Sequence, residues 1–308
     1  MVKEYIHDRY SIYNGDCCDI MTQLPENSID FSIFSPPFVS LFVYSDSERD
    51  MGNSRTEDEF FTHFDFCIRE LYRVLVPGRL VAIHCWDMPR LKANYGYTCL
   101  YDFPGDIIRR FENAGFHYHS RVTIWKDPVV AMARTHAIGL LHKQLKKDAS
   151  VSRQGCADYL VVMRKPSPDT CSVKPVEHPQ GINPKDYIGT DKNDVCTPVE
   201  VWQKYASPVW DDINQTRTLN YKAGKSDDDE RHICPLQLDV VERAIQLWTN
   251  KDDVVFTPFL GIGTEVYCAV KMGRRGVGVE LKPEYFQLAQ KNISQAIKAD
   301  QNSLFNFS

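Results

Sequence analysis

Short apolar runs alternate with amphipathic stretches along this chain, and that alternation predicts an α/β fold. Ile29–Phe34, Leu80–Cys85 and Asp253–Thr257 are short, rich in Ile, Val and Phe, and almost continuously apolar, as strands of a buried parallel sheet are. Glu57–Leu75 and Pro235–Trp248 instead place apolar residues at helical spacing. The pattern therefore predicts a mostly parallel sheet with helices on both faces.

The same criteria predict the remaining elements, with turn residues marking where they end. Further strands are predicted at Tyr10–Asn14, Tyr118–Trp125, Asp158–Arg164 and Arg275–Leu281. Further helices are predicted at Cys18–Leu24, Asp102–Ala114, Ala137–Lys146, Pro198–Tyr205, Thr264–Met272 and Pro283–Lys298. Between residue 166 and about residue 231 the periodicity weakens, which indicates an inserted region.

The first candidate site is the corner Ser35-Pro36-Pro37-Phe38, which directly follows the strand Ile29–Phe34. Two successive prolines fix φ and remove two N–H donors, so the chain leaves the strand in a rigid form with free carbonyls. Ligands of open α/β sheets bind at the carboxyl ends of the strands. The corner is therefore either a plain turn or part of a ligand site.

The second candidate site is a glycine-rich turn between the strand ending at Thr257 and the helix beginning at Thr264. Gly261 and Gly263 allow close approach of a ligand to the backbone, and a helix N-terminus offers free N–H groups. The next strand ends in Glu280, and an acid in that place accepts hydrogen bonds from ribose hydroxyls in nucleoside-binding folds. The turn therefore favours a nucleoside-containing ligand.

Composition limits the protein classes further. The chain has 308 residues, of which 43% are hydrophobic and 12% aromatic, as expected of a globular protein with a sizeable core. It shows no long apolar segment and no signal peptide, which predicts a cytoplasmic protein that is not associated with a membrane. The ten cysteines are scattered without zinc-site spacing, so we predict free thiols and no metal.

Charge is segregated along the chain. A net charge of −5 argues against unspecific coating of nucleic acid. A local basic stretch nevertheless offers a surface for DNA phosphates, and its members are Arg134, Lys143, Lys146, Lys147 and Arg153. The alternative interpretation of this stretch is a solvated helix face.

Taken together, these motifs resemble the amino-directed DNA methyltransferases that use S-adenosylmethionine. Ser35-Pro36-Pro37-Phe38 is similar to their catalytic tetrapeptide, residues 258–264 to their cofactor loop, and Glu280 to their ribose-binding acid. The catalytic motif precedes the cofactor loop, which resembles the beta-type motif order of this family. The matches cover residues 10–165 and 231–295, and the resemblance implies a Rossmann-like fold with a seven-stranded sheet.

The resemblance also implies roles for individual residues. The catalytic residues would be Ser35, Pro36, Pro37 and Phe38, and Phe38 would stack on the flipped base. The residues binding S-adenosylmethionine would be Asp16, Cys17, His232, Pro235, Phe259, Gly261, Gly263, Thr264 and Glu280. Two positions depart from the family motif, because Thr257 stands where Asp is usual and Ile262 where Ser is common.

On this basis residues 1–126 form the catalytic half of the domain, 127–231 a target-recognition insertion that contains the strand near 158–164, and 232–308 the cofactor-binding half. Ser in first place favours cytosine N4 as the methylated amine, and adenine N6 is the alternative. Methylation of RNA or protein, or a nucleotide- or DNA-binding module without catalysis, are the other interpretations. Double-stranded DNA is the predicted partner, and a homodimer and a companion restriction endonuclease are compatible with a bacterial or phage origin.

Overall fold

A nine-stranded mixed sheet forms the centre of the protein. The computed structural model describes residues 3–37, 50–54, 56–90, 92–97, 99–130, 142–150, 155–220 and 235–305. The strand order is β1-β2-β11-β10-β3-β4-β8-β7-β9, and β5 and β6 form a separate hairpin. The strands are β1 Lys3–His7, β2 Tyr10–Asn14, β3 Ile29–Phe34, β4 Leu75–Trp86, β5 Met88–Arg90, β6 Cys99–Tyr101, β7 His117–Ile124, β8 Asp158–Arg164, β9 Val209–Trp210, β10 Val254–Thr257 and β11 Arg275–Glu280.

Strand direction decides which residues meet at the functional edge of this sheet. Strands β2, β11, β10, β3 and β4 are mutually parallel, so their carboxyl ends lie at one edge. Strand β8 is antiparallel to both β4 and β7, so the start of β8 and the end of β7 lie at that same edge. These neighbouring strands therefore bring residues from distant parts of the chain to a single edge.

The helices cover both faces of the sheet, as predicted. They are α1 Cys17–Met21, α2 Glu57–Val74, α3 Lys92–Tyr95, α4 Phe103–Asn113, α5 His142–Leu145, α6 Pro198–Tyr205, α7 Leu238–Trp248, α8 Thr264–Lys271 and α9 Pro283–Phe305. One face packs on α1, α2 and α4, and the other on α7, α8 and α9. The side chains of β3 alternate between the two faces of the sheet: Phe34 packs on α2, while Phe31 and Ile33 pack on α7.

Local sequence explains where the longest buried helix begins. Thr56 caps α2 by accepting a hydrogen bond from the Glu59 N–H at 3.1 Å, and three acidic residues occupy the first turn. Both features stabilise a helix N-terminus. The aromatic side chains of Phe60 and Phe64 then fill the core beneath β3. An Asp102 cap starts α4 in the same way.

The prediction of seven strands was wrong, because β1 and β9 extend the sheet at its two ends. Strand β1 is an exposed edge strand containing Lys3, Glu4 and His7, so it lacks the apolar signal of a buried strand. Strand β9 has only two residues, too few to give a strand pattern in the sequence. Its pairing with β7 is set by tertiary packing rather than by local pattern.

The described part of the inserted region packs firmly on the sheet domain. Arg243 of α7 is fully buried and pairs with Asp212 at 2.9 Å, and its guanidinium lies 4.9 Å from the Trp210 ring. Tyr187 also donates its hydroxyl to Asp212. The proposed domain boundaries at residues 126 and 231 stay predictions. Among the helices of the described ranges, none is long and apolar enough to cross a membrane.

Candidate functional site

The serine corner and the glycine turn lie side by side. Strands β3 and β10 are paired in parallel, with Ser32 opposite Phe256, so Ser35 leaves the sheet at the level of Phe259. The rings of Phe34 and Phe259 are in edge contact, with centroids 5.6 Å apart. Ser35 and Pro37 are partly accessible, whereas Pro36 is buried. The two motifs that are far apart in sequence therefore border one site.

The glycine turn is tied to the acid at the end of the neighbouring strand. The Gly261 N–H donates to Glu280 Oε2 at 2.7 Å, and the Lys282 N–H donates to Oε1 at 2.9 Å. Gly261 and Gly263 both have positive φ, of 52° and 96°. A Cβ at Gly261 would meet no atom within 4 Å, so open space adjoins the turn there. The turn is thus a rigid backbone cradle with room above it.

Strand β2 brings Asp16 to the same edge. Glu280 is paired with Asn14 in the sheet, and the Gly15 N–H donates to the Glu280 carbonyl at 3.0 Å. Asp16 Oδ1 accepts from the Cys18 N–H at 2.8 Å and so caps α1. Cys17 is buried behind it.

The acidic and thiol groups of Asp16, Cys17 and Cys18 lie within 4.8 Å of one another, a spacing that metal ligands can have. A thiol binds metal as the thiolate. The hydrogen bond with Cys17, together with burial, raises the pKa of the Cys18 thiol far above its ordinary value.

A polar chain runs from Ser35 into the protein. Ser35 Oγ lies 3.4 Å from His84 Nδ1 and 3.3 Å from the His84 carbonyl. His84 Nε2 lies 3.0 Å from Asp158 Oδ2, and Lys126 pairs with that same oxygen. Burial alone would raise the pKa of Asp158, but His84 and Lys126 outweigh it and hold this pKa below its ordinary value. Local sequence does not reveal this arrangement of His84, because its partners come from distant parts of the chain.

Three buried acceptors form a second group; sequence analysis named Thr257 only as a departure from the family motif and singled out neither Gln237 nor Glu265. Thr257 Oγ1 and Gln237 Oε1 are buried without a hydrogen-bond partner. Glu265 is 4% exposed, and no side chain in the described ranges hydrogen-bonds or ion-pairs with its carboxyl group. Burial, with a smaller contribution from Glu280, raises the pKa of Glu265 to about 8. The main signal in sequence is an acid in the first turn of a helix after the glycine turn.

These acceptors lie on one face of the sheet at the carboxyl end of β10. Thr257 points to the same face as Val255, which packs on α7 and α8. Glu265 shares the helical face of Cys268, which packs in that same cluster. Gln237 directly precedes α7. Because α7 ends just before β10 begins, the start of α7 lies near the carboxyl end of β10. Neither α7 nor α8 has a side-chain cap at its start.

Other predicted site residues fall in different places. Phe38, His232, Arg134 and Arg153 lie outside the described residues, as does the side chain of Lys143. Pro235, Thr264 and Phe259 lie at the edge described above, while Lys146 and Lys147 are exposed after α5. The roles assigned to all of these residues stay predictions.

Comparison with known proteins identifies the family. Residues 29–291 match the family model described as DNA methylase, of the N6/N4 methyltransferase type. The Type II methyltransferase M1.MboII of Moraxella bovis is 36% identical over 289 residues, covering 92% of this chain and 96% of that protein. The Type II methyltransferase M.BglII of Bacillus subtilis is 25% identical over 297 residues, covering 96% of this chain and 71% of that protein.

Solved structures show the same fold. TTHA0409 of Thermus thermophilus, assigned as a DNA modification methylase and crystallised with S-adenosyl-L-methionine, is 22% identical with a TM-score of 0.64. The superposition covers 94% of each chain. With most of its length matched by the family model, this chain belongs to the DNA methylase family and is an S-adenosylmethionine-dependent DNA methyltransferase.

Proposed function

We propose that this protein transfers a methyl group to the exocyclic amine of a base flipped out of double-stranded DNA, with cytosine N4 as the preferred target. The observation that carries this proposal is the pairing of β3 with β10, which sets Ser35 beside the glycine turn. A donor held at the turn and an acceptor base held at the corner would then meet. When bound, S-adenosylmethionine supplies a methyl group on a positively charged sulfur.

The residues at the carboxyl end of β10 and β11 fit this donor. Glu280 keeps acceptor capacity beyond its two backbone hydrogen bonds, which suits the hydroxyls of a ribose. The methionine end carries an ammonium and a carboxylate. The buried acceptors Thr257 and Gln237, which have no hydrogen-bond partner, and the buried carboxyl group of Glu265 suit the ammonium. Phe259 and Gly261 would border the adenosine.

The corner would hold and orient the amine. An exocyclic amine is a weak nucleophile because its lone pair is delocalised into the ring. The Ser35 hydroxyl and the Pro36 carbonyl can each accept one amine hydrogen, which would direct the lone pair toward the methyl group. Catalysis would then rest on positioning and on electrostatic stabilisation, with Phe38 stacked on the base. A covalent intermediate is not needed.

Ser35 supports cytosine over adenine only through its neutral hydroxyl, which resembles the cytosine-N4 branch of the family. An adenine amine presents the same two hydrogens, so adenine N6 is the second candidate. The distinction depends on the shape of the base pocket, to which residues 38–49 are expected to contribute.

The basic stretch supports the placement of DNA. Residues 127–157 connect the end of β7 with the start of β8, so they leave and rejoin the sheet at the edge that carries Ser35. The ion pair between Lys126 and Asp158 closes the base of this connection. Lysines 146 and 147 within it are exposed and available to phosphates.

The test is methyl transfer in vitro. Purified protein, DNA and methyl-labelled S-adenosylmethionine are incubated, and the digested nucleosides are analysed by mass spectrometry. We expect N4-methylcytosine; N6-methyladenine alone would reverse the order of the two candidates. Ser35→Ala should lose at least about 100-fold in transfer rate, the usual effect of removing one transition-state hydrogen bond, while donor binding is retained. Donor binding without any transfer to DNA by the unaltered protein would refute the proposal.

Several wider predictions belong to the same proposal. A homodimer, a companion restriction endonuclease and a cytoplasmic location in a bacterial or phage-infected cell stay predictions. Light scattering of the purified chain and sequencing of modified bases in expressing cells address the first two. A strict recognition sequence in that sequencing would support a restriction-modification role.

A further inference from the structure

Three strands supply a hydrogen-bonded chain that ends on the hydroxyl of Ser35. Ser35 follows β3, His84 lies near the end of β4, and Asp158 opens β8. The distances are 3.4 Å from Ser35 Oγ to His84 Nδ1 and 3.0 Å from His84 Nε2 to Asp158 Oδ2. The side chain of His84 is 12% exposed and that of Asp158 is 3% exposed. Water therefore has little access to the inner part of this chain.

The protonation of the chain follows from its inner end. With its pKa below the ordinary value, Asp158 is ionised at neutral pH and can only accept hydrogen bonds. The hydrogen of a neutral His84 must then lie on Nε2, which leaves a lone pair on Nδ1. That lone pair faces Ser35. The hydroxyl hydrogen of Ser35 can turn to this nitrogen or to the His84 carbonyl, which lies at 3.3 Å.

Methylation of an amine leaves a proton that must go to a base. Once the nitrogen has formed its bond to the methyl carbon, it carries a hydrogen that a neutral product cannot keep. A serine hydroxyl alone is a very weak base. Ser35 is partly accessible, but solvent has little access to its inner neighbours, since the side chains of His84 and Asp158 are 12% and 3% exposed. A neighbouring imidazole is a suitable acceptor at neutral pH.

We propose that His84 accepts this proton through Ser35, with Asp158 holding the imidazole in the required tautomer. The N–H bond of the methylated amine breaks, and its electron pair stays on nitrogen. Ser35 Oγ gains that proton while its own proton moves to His84 Nδ1, so the serine ends unchanged. The resulting imidazolium is compensated by the Asp158 carboxylate and later releases its proton to solvent. His84 is thus a positioning and proton-accepting residue that acts through Ser35.

The ionic surroundings agree with this role. In the described ranges, Asp158 of β8 is the carboxylate that contacts His84, and Lys126 after β7 shares the same carboxylate oxygen. Lys126 keeps Asp158 ionised and fixed in place. The Asp158 carboxylate thus contacts both Lys126 and His84 through one oxygen. The distance of 3.4 Å from Ser35 to His84 is long, as catalytic hydrogen bonds often are before the substrate binds.

The test compares His84→Gln with His63→Gln as a matched control, because His63 is exposed on α2 and is not a member of the hydrogen-bonded chain that ends on Ser35. Single-turnover methyl transfer to DNA is measured with excess enzyme and saturating donor between about pH 5.5 and 8.5, the range in which histidine titrates. General-base catalysis contributes roughly 100- to 10,000-fold, so H84Q should lose about that factor. Its rate should also lose the rise with pH shown by the unaltered enzyme. Donor and DNA affinities should stay within about twofold, since His84 contacts neither.

The proposal rests on the proposed function, but the two can fail separately. An unaltered protein that transfers no methyl group would overturn the function. An active H84Q protein with an unchanged rate and pH profile would overturn the proton transfer alone, as would a loss explained entirely by weaker donor binding. A measurement on the unaltered enzyme guards against misfolding of the variant: the histidine titration seen by NMR for His84 must match the ionisation that controls the single-turnover rate. A mismatch would contradict the proposal.

Discussion

Glu265 provides the sharpest stability prediction, because it is a buried acid that is expected to ionise only in mildly alkaline solution. Its pKa is raised from 4.5 to about 8, chiefly by burial. Between these values the folded protein keeps a proton that the unfolded chain has lost. The free energy of unfolding therefore falls as pH rises from 4.5 to about 8, since proton uptake is greater in the folded state.

The size of this effect on the free energy of unfolding follows from the difference between the two pKa values of Glu265. Each pH unit corresponds to about 1.4 kcal/mol, so the span from 4.5 to about 8 amounts to about 5 kcal/mol at most. Glu265→Gln removes the ionisable group and keeps the shape of the side chain. The variant should therefore be more stable than the unaltered protein above pH 8 in the absence of donor. A gain of that size corresponds to a rise in melting temperature on the order of 10 °C.

The assay is thermal unfolding between pH 5 and 9, with and without S-adenosylmethionine. Glu284→Gln is the matched control, because Glu284 is exposed in the first turn of α9. We expect E265Q to gain stability with rising pH without donor and to lose affinity for the donor, whose ammonium would no longer meet a carboxylate. The control should do neither. An E265Q melting temperature that follows the unaltered protein across the whole pH range would refute the reasoning.

Two further predictions test the DNA surface and the attachment of the inserted region. Replacing Lys146 and Lys147 by Ala should weaken DNA binding and reduce the slope of log affinity against log salt by about two. Lys291→Ala is the control, because Lys291 is distant in sequence from the basic stretch. An unchanged slope would argue against phosphate contact. Asp212→Asn should lower the free energy of unfolding by about 3–5 kcal/mol in chemical denaturation, because it leaves the buried arginine of α7 without its carboxylate. The exposed Asp211→Asn should have little effect, and equal stability of the two variants would contradict the account of that ion pair.

Much of the fold could be predicted, because strands and helices that are buried have recognisable apolar patterns in the local sequence. Strands β3, β8 and β10 are buried along most of their length and rich in apolar residues, and their bounds agree with prediction to within a residue. The edge strand β1 and the two-residue strand β9 were not predicted, because β1 is exposed and β9 is too short to show an apolar pattern. Order of strands within the sheet also carries no local signal, although it decides which motifs are neighbours.

The candidate site was predictable where a backbone requirement restricts residue type. Positive φ at Gly261 and Gly263 and the fixed φ of Pro36 restrict the residue type at these positions. Such positions can therefore be recognised within one stretch of the sequence. His84 and Asp158 carry no such mark, since each is an ordinary residue of its own strand. Their contact depends on the antiparallel register that sets His84 opposite Leu160 and Trp86 opposite Asp158. Site residues that act through partners on distant strands therefore become visible only in the folded chain.

The departure from the family motif at Thr257 leads to a prediction about the site of the donor ammonium. The family motif usually has Asp in that position, and the hydroxyl of Thr257 cannot replace its charge. Glu265 stands eight residues later, on the face of α8 that turns toward the same end of β10. Because the glycine turn reverses the chain between these two positions, we predict that Glu265 contacts the donor ammonium in place of the usual acid of the strand. Thr257→Asp combined with Glu265→Gln should then restore the donor binding that E265Q alone loses.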